Sequence, residues 1–313
     1  MKSAAYFFLN ESLSTIYRVL GLTDRIDGSA TFGCTDRTYW HYKLIDFPNL
    51  RFQESGLLFA LAYSHEFDGN RFFRNRNLLA WSQAVWEFWL DRRNSDGSAA
   101  EVYPNERSFC ATAFSALGFL ETQRLLGDET DVRTSLARVE PTMKWLSENT
   151  SRAVSNQTAA AFAALHVFAD MTSQSNHRSW ARRRRDDLLS MNDSNGVFPE
   201  YGGFDAGYQS ITLSLLGAAM DVELDDAVEA LRVAGKKRLV AALSESPRSL
   251  SASNSRRTQY VFPSAVVGSS PEIITNLAEV ISGGAYLRPS WMDDRYCIGL
   301  ASDFMRAGLA MNT

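Results

Sequence analysis

The chain has 313 residues, of which 45% are hydrophobic and 22% are charged, and it carries a formal net charge of -4 at pH 7. These proportions are ordinary for a globular protein, and the acidic balance argues against a general nucleic-acid binder, which would usually be basic. No apolar run is long enough to cross a bilayer. Near the N-terminus, the polar residues Asn10 and Glu11 interrupt the apolar run too early for the hydrophobic region of a signal peptide. We therefore expect a cytoplasmic protein without a transmembrane segment.

Along the chain, helical segments of two kinds alternate. The first kind is amphipathic with one charged face and comprises residues 78–90, 132–146, 180–189 and 225–243. The second kind is rich in small residues, lacks a polar face and comprises residues 55–63, 111–120, 158–168, 211–220 and 296–310. Because a helix that is apolar all round is buried, we expect the second kind to form an inner layer and the first an outer layer.

A weak internal repeat accompanies this alternation. Ser95-Asp-Gly is followed by Glu101, and Ser194-Asn-Gly is followed by Glu200, 99 positions further on (200 minus 101). Two helical hairpins of roughly 50 residues each fit that offset, so about six hairpins would fill the chain. The predicted architecture is a single all-α domain over residues 1–313, an α/α toroid that is complete or incomplete.

Two features leave room for other arrangements. A straight α-solenoid also stacks helical hairpins, and it is the structural alternative to the toroid. Residues 260–263 and 284–287 are the candidates for a short pair of strands.

The three cysteines, Cys34, Cys110 and Cys297, stand at unrelated spacings, which predicts free thiols and no zinc site. The sequence carries no nucleotide-binding or zinc-protease motif, and it assigns neither a metal nor a cofactor.

Four stretches rich in aromatic, charged or glycine residues each precede an inner helix: residues 34–43, 95–107, 194–208 and 288–296. When helices alternate in direction, all loops of one kind lie at the same end of the molecule. We therefore expect the four stretches to form one site, with the polar residues 244–257 as a mobile loop at its rim. The N-terminal ends of the inner helices carry unpaired N–H groups and positive dipole ends, which favour an anionic ligand.

The same stretches carry a resemblance to known proteins. Trp86-x-x-Trp89, followed by Asp96-Gly-Ser and Glu101, resembles the helix and Asp-Gly-Ser repeat of α/α-toroid proteins, which include terpene cyclases and prenyltransferase subunits. Three further motifs resemble uncharacterised heparinase II/III-like proteins of bacterial polysaccharide gene clusters: Asp36-Arg-x-Tyr-Trp-x-Tyr-Lys43, Tyr103-Pro-Asn-Glu-Arg-Ser108 and Phe198-Pro-Glu-Tyr-Gly-Gly203. The resemblance covers most of the chain and implies a toroid and a role in polysaccharide synthesis, but it assigns no reaction.

The predicted site combines cations with aromatic rings. Its candidate ligand-binding residues are Asp36, Arg37, Tyr39, Trp40, Lys43, Glu101, Tyr103, Arg107, Asn156, Asp205, Trp291, Asp294 and Arg295. Guanidinium groups suit carboxylates and phosphates, and flat aromatic faces suit sugar rings. The predicted ligand is therefore an acidic saccharide or a lipid- or nucleotide-linked sugar. The alternative is that the arginines pair with neighbouring Asp and Glu residues and only hold the loops together.

The candidate catalytic residues are Glu200, Tyr201 and Tyr208 in a glycine-rich loop, together with His41. A tyrosine, a histidine or a carboxylate can transfer a proton when its pKa suits the task. We expect proton abstraction beside a uronate carboxylate, which gives epimerisation or elimination in a biosynthetic enzyme. The structural alternatives are a turn in which Glu200 caps a helix, a stacked His41 and an Asn156 that serves as an N-cap.

Three other functions stay open at this point. Glu101 and Glu200 occupy equivalent repeat positions, and paired carboxylates across a cleft can hydrolyse a glycosidic bond. An isoprenoid or terpene cyclase would instead require a deep aromatic and apolar cavity. A toroid without catalytic activity would bind a saccharide or a partner protein.

Overall fold

The computed structural model describes residues 2–151, 153–192, 195–219, 226–245 and 255–312. Within these ranges the chain forms α-helices, short 3-10 turns and three isolated β-bridges, with no strand, which confirms the all-α prediction for them. The helices are α1 (Lys2–Leu22), α2 (Arg37–Trp40), α3 (Ser55–Ser64), α4 (Arg76–Arg92), α5 (Phe109–Leu125), α6 (Val132–Glu148), α7 (Ser155–Thr172), α8 (Ser175–Met191), α9 (Ala206–Ala219), α10 (Asp226–Glu245), α11 (Pro271–Ser282) and α12 (Tyr296–Asn312).

Side-chain caps explain where several of these helices begin. Asn75 accepts hydrogen bonds from the backbone N–H groups at the start of α4, Ser108 does so for α5, and Asp131 does so for α6. Each cap pairs a backbone N–H that has no partner inside its helix, which is worth about 1 kcal/mol. Sequence-local chemistry therefore sets these boundaries before any tertiary contact is made.

The alanine-rich helices are buried nearly all round, whereas the charged helices bury one face. In α7, every residue from Ala159 to Leu165 is at most 3% exposed. In α8, by contrast, only His177, Ala181, Arg184 and Leu188 are buried. The apolar, small-residue composition of the first kind of helix thus corresponds to a central position in the packing.

The central helices contact one another in a definite order. Helix α3 packs against α5, α5 against α7, and α7 against α9. The 3-10 turn Pro263–Val266 contacts both α9 and α12, and α12 packs against α3, so the order of neighbours returns to its start. Helices α4, α6, α8 and α10 lie against this series, and α1 packs along α12.

A buried carboxyl group ties the last part of this circuit together. Asp303 of α12 accepts hydrogen bonds from the backbone N–H of Ser264 at 3.0 Å and from the hydroxyl groups of Ser264 and Ser214. These contacts join α12, the turn Pro263–Val266 and α9. Burial raises the pKa of Asp303 above its usual value.

Glycines allow the close approach of α3 to α4. A Cβ atom added at Gly56 would lie 2.4 Å from Nε1 of Trp86, and one at Gly118 would lie 3.3 Å from the same indole. The Trp86 ring meets the Trp89 ring edge-on with 5.8 Å between centroids, an arrangement that aromatic pairs favour. The indole N–H of Trp86 donates to Thr122 Oγ1 at 3.0 Å, so the buried polar atom is paired.

Some segments differ from the sequence-based expectation. Residues 260–263 and 284–287 form no strand pair, since Pro263 lacks the N–H that a ladder needs and opens a 3-10 turn instead. Within the predicted rim loop 244–257, Ser244 belongs to α10, and residues 246–254 lie outside the described residues, as do positions 194, 220 and 225 of other predicted segments. None of the described helices combines the length and apolar character that crossing a membrane requires.

Candidate functional site

A cavity of about 270 Å³ lies among helices α3, α5, α7, α9 and α12, and its lining is both charged and aromatic. Its lining carries four glutamates (Glu54, Glu101, Glu121, Glu200), four arginines (Arg51, Arg256, Arg295, Arg306) and three tyrosines (Tyr201, Tyr208, Tyr296). Most of these residues stand just before a central helix or in its first turn. The loops that lead into five helices therefore contribute to one cavity.

Six of the charged residues form ion pairs. The pairs are Arg51–Glu54 at 2.7 Å, Arg295–Glu101 at 2.6 Å and Arg306–Glu121 at 2.5 Å. Their side chains are between 9% and 23% exposed, so each charge has lost much of its water and depends on its partner. Two of the pairs also join α12 and its preceding loop to α5 and its preceding loop.

Cys110 lies beside the first of these pairs. Arg51 donates from Nη1 to Cys110 Sγ at 3.3 Å, and its guanidinium stands 4.2 Å from the ring centre of Phe114. Burial raises the pKa of Cys110 to about 11, although Arg51 lowers it. The side chain is therefore a neutral thiol near pH 7, which is a poor nucleophile.

A tight turn directs Glu200 into the cavity. The backbone N–H of Glu200 donates to the carbonyl of Gly203 at 2.9 Å, and Gly203 donates back at 3.2 Å. Tyr201 and Gly202 between them have φ angles of 51° and 80°, a left-handed conformation that glycine adopts without strain. As a result Glu200 is 2% exposed, whereas Tyr201 is 62% exposed at the mouth.

The surroundings of Glu200 in the cavity shift its pKa. Its Oε2 accepts a hydrogen bond of 2.7 Å from Nδ2 of Asn156 in the first turn of α7. Burial raises the pKa of Glu200 to about 7, while the hydrogen bond from Asn156 and the charge of Arg256 lower it and Asp205 raises it. A carboxyl group with this pKa can both accept and donate a proton under physiological conditions.

Asp205 holds the segment that carries Arg256. The Asp205 side chain is fully buried and accepts from the backbone N–H groups of Tyr208 at 3.1 Å, Arg256 at 3.1 Å and Thr258 at 3.3 Å. The Ser255 hydroxyl also donates to the carbonyl of Glu200 at 2.8 Å. Asp205 thus caps α9 and fixes the place of Arg256 at the cavity.

Two tyrosine rings face Arg256. Its guanidinium carbon stands 4.3 Å from the ring centre of Tyr201 and 5.6 Å from that of Tyr208. Burial, followed by the neighbouring Tyr296, raises the pKa of Tyr208 to about 12. Tyr208 therefore stays a neutral phenol at pH 7, which can donate a proton but has no anion to accept one.

The residues predicted from the stretch 36–43 lie outside the lining of this cavity. Asp36 is buried and accepts from the backbone N–H groups of Thr38 at 3.1 Å and Asn49 at 2.9 Å, so it caps α2. Arg37 donates to the carbonyl of Gly21 at 2.8 Å, Trp40 donates to the carbonyl of Leu22 at 2.7 Å, and Tyr39 packs near Phe88. His41 and Lys43 are exposed. Arg37 and Trp40 thus anchor the stretch to the end of α1.

Four other predicted residues also stand apart from the cavity. Tyr103 is 68% exposed, and Arg107 pairs with Asp96 at 2.7 Å. Trp291 is 47% exposed beneath the guanidinium of Arg288, and Asp294 pairs with Arg18 at 2.6 Å. Each of these side chains therefore points to a partner outside the cavity or to solvent.

Several lining residues were not singled out by the sequence. Arg256 was placed only within the predicted rim loop, and Glu121 and Arg306 were not considered because they lie deep in central helices. Charged residues are rarely buried unless they are paired. A glutamate and an arginine inside largely apolar helices are therefore the signal in the sequence that could have identified Glu121 and Arg306 as lining residues of the cavity.

Comparisons with known proteins add no name to this site. No protein-family model matches the chain, and no curated protein matches it significantly. Among the described residues, no group of three His, Cys, Asp or Glu side chains is arranged to hold a metal ion. What the cavity can do chemically therefore has to follow from Glu200, Arg256 and the residues around them.

Proposed function

We propose that the helices form an α/α toroid with the cavity on its axis. The burial of α3, α5, α7, α9 and α12 supports this arrangement, as does the order of contacts that returns from α12 to α3. The shared cavity at the N-terminal ends of these helices is also what a toroid of hairpins would produce. A straight solenoid would have no contact between its first and last central helices.

We further propose that the chain is a carbohydrate-active enzyme that modifies an acidic saccharide by proton transfer. The observation that carries this proposal is Glu200, a buried carboxyl group with a pKa of about 7 in a cavity lined by arginines and tyrosines. The cavity volume of about 270 Å³ is close to the lower end of the range for small-molecule sites, roughly 300 to 1,000 Å³. The resemblance of three motifs to proteins of polysaccharide gene clusters is what favours a saccharide and a role in polysaccharide biosynthesis.

The first chemical step assigns a role to each of two side chains. Ionised Glu200 takes the proton from the carbon next to the substrate carboxylate, and the electron pair of the C–H bond moves toward that carboxylate. Arg256 balances the negative charge that develops there. Asn156 orients Glu200 through its 2.7 Å hydrogen bond and acts as a positioning residue.

The second step distinguishes epimerisation from elimination. In epimerisation, the phenol of Tyr208 donates a proton to the opposite face of the same carbon and regains one from solvent. In elimination, the electron pair expels the oxygen substituent of the neighbouring carbon, which takes the proton of the Tyr208 phenol and leaves as an alcohol, and Tyr208 regains a proton from solvent. Both routes return the proton of Glu200 to solvent and need no oxidant or reductant.

Turnover can be tested with a panel of uronate-containing oligosaccharides. Incubation in deuterated water, followed by proton NMR, detects an epimerase through loss of the signal of the abstracted proton. Elimination produces an unsaturated sugar with new ultraviolet absorbance. We expect one of these signals with the wild type and with Glu272→Gln, an exposed site on α11, and neither with Glu200→Gln. Equal turnover by all three proteins would refute the assignment of Glu200.

Glycoside hydrolysis is a second candidate, favoured by one specific observation. Glu101 and Glu200 line the same cavity in different environments: Glu101 is paired with Arg295 at 2.6 Å, whereas Glu200 faces the neutral amide of Asn156. Two carboxyl groups in different environments on one cavity are the kind of pair that glycoside hydrolysis uses. A new reducing end that forms without any unsaturated sugar would identify this reaction and exclude elimination.

The remaining two functions fit the cavity less well. An isoprenoid cyclase needs an apolar cavity, and eight charged residues line this one. A binding protein without catalytic activity gives no reason for a buried carboxyl group that titrates near neutral pH. Saccharide binding that is equal in the wild type and in Glu200→Gln, with no turnover in either, would favour the binding protein.

A further inference from the structure

The four arginines of the cavity differ in what they face. Arg51, Arg295 and Arg306 each have a carboxylate oxygen within 2.7 Å. Arg256 has no carboxylate within ion-pair distance among the described residues, and its guanidinium faces the rings of Tyr201 and Tyr208. Three positive charges thus have a direct carboxylate partner, whereas Arg256 interacts with Glu200 only at longer range and has no direct counterion among the described residues.

The position of Arg256 is set by other groups rather than by its own side chain. Its backbone N–H donates a hydrogen bond to the carboxylate of Asp205, and the hydroxyl of the preceding Ser255 donates one to the carbonyl of Glu200. A guanidinium has five N–H donors in one plane, so stacking on a ring leaves donors at its edge for an incoming carboxylate.

Resting on the proposed function, we propose that the cavity selects a saccharide with a single carboxylate and that Arg256 is the residue that selects it. One unneutralised arginine balances one negative charge. A phosphate ester carries about two negative charges at neutral pH, so its second charge would stand uncompensated near Glu200. The preferred ligand class is therefore a uronate, and sugar phosphates are disfavoured.

The surroundings of Glu200 strengthen this selection. Glu200 is faced by the amide of Asn156 from α7, by Tyr208 from α9, by Arg256 and by Asp205 of its own loop. Arg256 is the cation of this group, while Asp205 already opposes a further negative charge. Arg256 is exposed beside the Tyr201 ring, and like charges repel, so the second charge of a dianion bound there would be opposed by both Glu200 and Asp205.

Binding measurements at pH 7.5 with four small probes test this inference without a known substrate. The probes are glucuronate, glucose 6-phosphate, glucose and acetate, each titrated by calorimetry. We expect glucuronate to bind the wild type about ten- to a hundred-fold more tightly than glucose, as a charge-assisted pair would give, and glucose 6-phosphate to bind more weakly than glucuronate. In Arg256→Gln the preference for glucuronate over glucose should disappear.

Two further variants provide controls. Arg257→Gln alters the next residue on the same segment, which is exposed and outside the cavity lining, and should keep the preference. Arg256→Lys keeps the charge but loses the planar fork, so it should keep part of the preference. Circular dichroism and thermal unfolding of each variant confirm that the fold is retained, as expected for a residue on the surface.

The outcomes separate this inference from the proposed function. A preference for glucose 6-phosphate, a preference for glucuronate that survives Arg256→Gln, or no binding of any probe would overturn the role of Arg256. If glucuronate and acetate both bind through Arg256 but no saccharide is converted in deuterated water, the carboxylate site is supported and the enzymatic function is refuted. Conversion of neutral saccharides by Glu200 would support the enzyme and refute the selection of a carboxylate.

Discussion

Glu200 accepts a hydrogen bond of 2.7 Å from Asn156, and this contact joins the loop before α9 to the first turn of α7. The neutral amide satisfies one carboxyl oxygen without supplying a positive charge. An arginine in the same place would hold Glu200 ionised, as ion pairing favours the charged form of a carboxyl group. Burial raises the pKa of Glu200 and the hydrogen bond from Asn156 lowers it only in part, whereas the other three glutamates of the cavity are paired with arginines.

The buried carboxyl group makes the stability of the wild type depend on pH. Its pKa rises from 4.5 to about 7 on folding, so the stability that the protonated form contributes is complete below pH 4.5 and is lost as pH rises through about 7. The difference corresponds to about 3 kcal/mol in the free energy of unfolding. We expect Glu200→Gln to match the wild type at pH 4.5 and to exceed its stability at pH 8.

Urea unfolding at several pH values between 4.5 and 8 measures this effect. The neutral side chain of the variant can still accept the hydrogen bond from Asn156, so the comparison isolates the charge. Glu272→Gln, at an exposed site, should show no such pH-dependent difference. If the wild type is as stable as Glu200→Gln at pH 8, the ionised carboxylate carries no penalty in the folded state.

Loss of the Asp205 carboxylate should both destabilise the protein and release Arg256. Asp205→Ala leaves three backbone N–H groups without their acceptor, and the loss of a cap together with buried hydrogen bonds costs about 2 to 4 kcal/mol. Asp205→Asn keeps an acceptor and should recover much of that stability. Urea unfolding gives the free energies, and glucuronate binding to the folded variants should weaken as it does in Arg256→Gln. Unchanged stability in Asp205→Ala would contradict the anchoring role.

The contact of Gly56 with Trp86 predicts a large effect of one methyl group. In Gly56→Ala the added Cβ would meet Nε1 of Trp86 at 2.4 Å, so α3 and α4 must separate at a cost of about 1 to 3 kcal/mol. Gly21→Ala is the matched control, because nothing lies within 4 Å of the added atom and alanine favours the helix. Thermal unfolding should show a lower midpoint for the first variant only; equal midpoints would contradict this packing.

The helices were largely predictable because their signals are local. The apolar periodicity over 78–90 corresponds to α4, Arg76–Arg92, and the alanine-rich run over 158–168 lies inside α7, Ser155–Thr172. Glu101, Asn156, Glu200 and Arg295 line the same cavity, as expected if the helices alternate in direction and their loops lie at one end. These relationships depend on periodicity and chain direction, which the sequence displays.

The rest of the site depends on side-chain directions, which loop position alone does not determine. Arg37 lies in a loop of the predicted kind, but the carbonyl of Gly21 holds its guanidinium elsewhere. Arg256 is far along the chain from Glu200 and reaches it only because Asp205 binds its backbone. Such long-range hydrogen bonds leave no periodic pattern in the sequence. The composition of the loops could therefore indicate a cationic, aromatic site, but it could not identify which arginine lines the cavity.

The most direct measurement is the rate of deuterium uptake from solvent into a glucuronate-containing oligosaccharide, recorded from pH 5.5 to 8.5. Since ionised Glu200 is the proposed base and its pKa is about 7, the rate should be low in acid and rise through pH 7 to a plateau. Glu200→Gln should abolish uptake at every pH, and Glu272→Gln should leave the profile unchanged. Uptake by Glu200→Gln at the wild-type rate, or a wild-type rate that does not change with pH, would contradict proton transfer by Glu200.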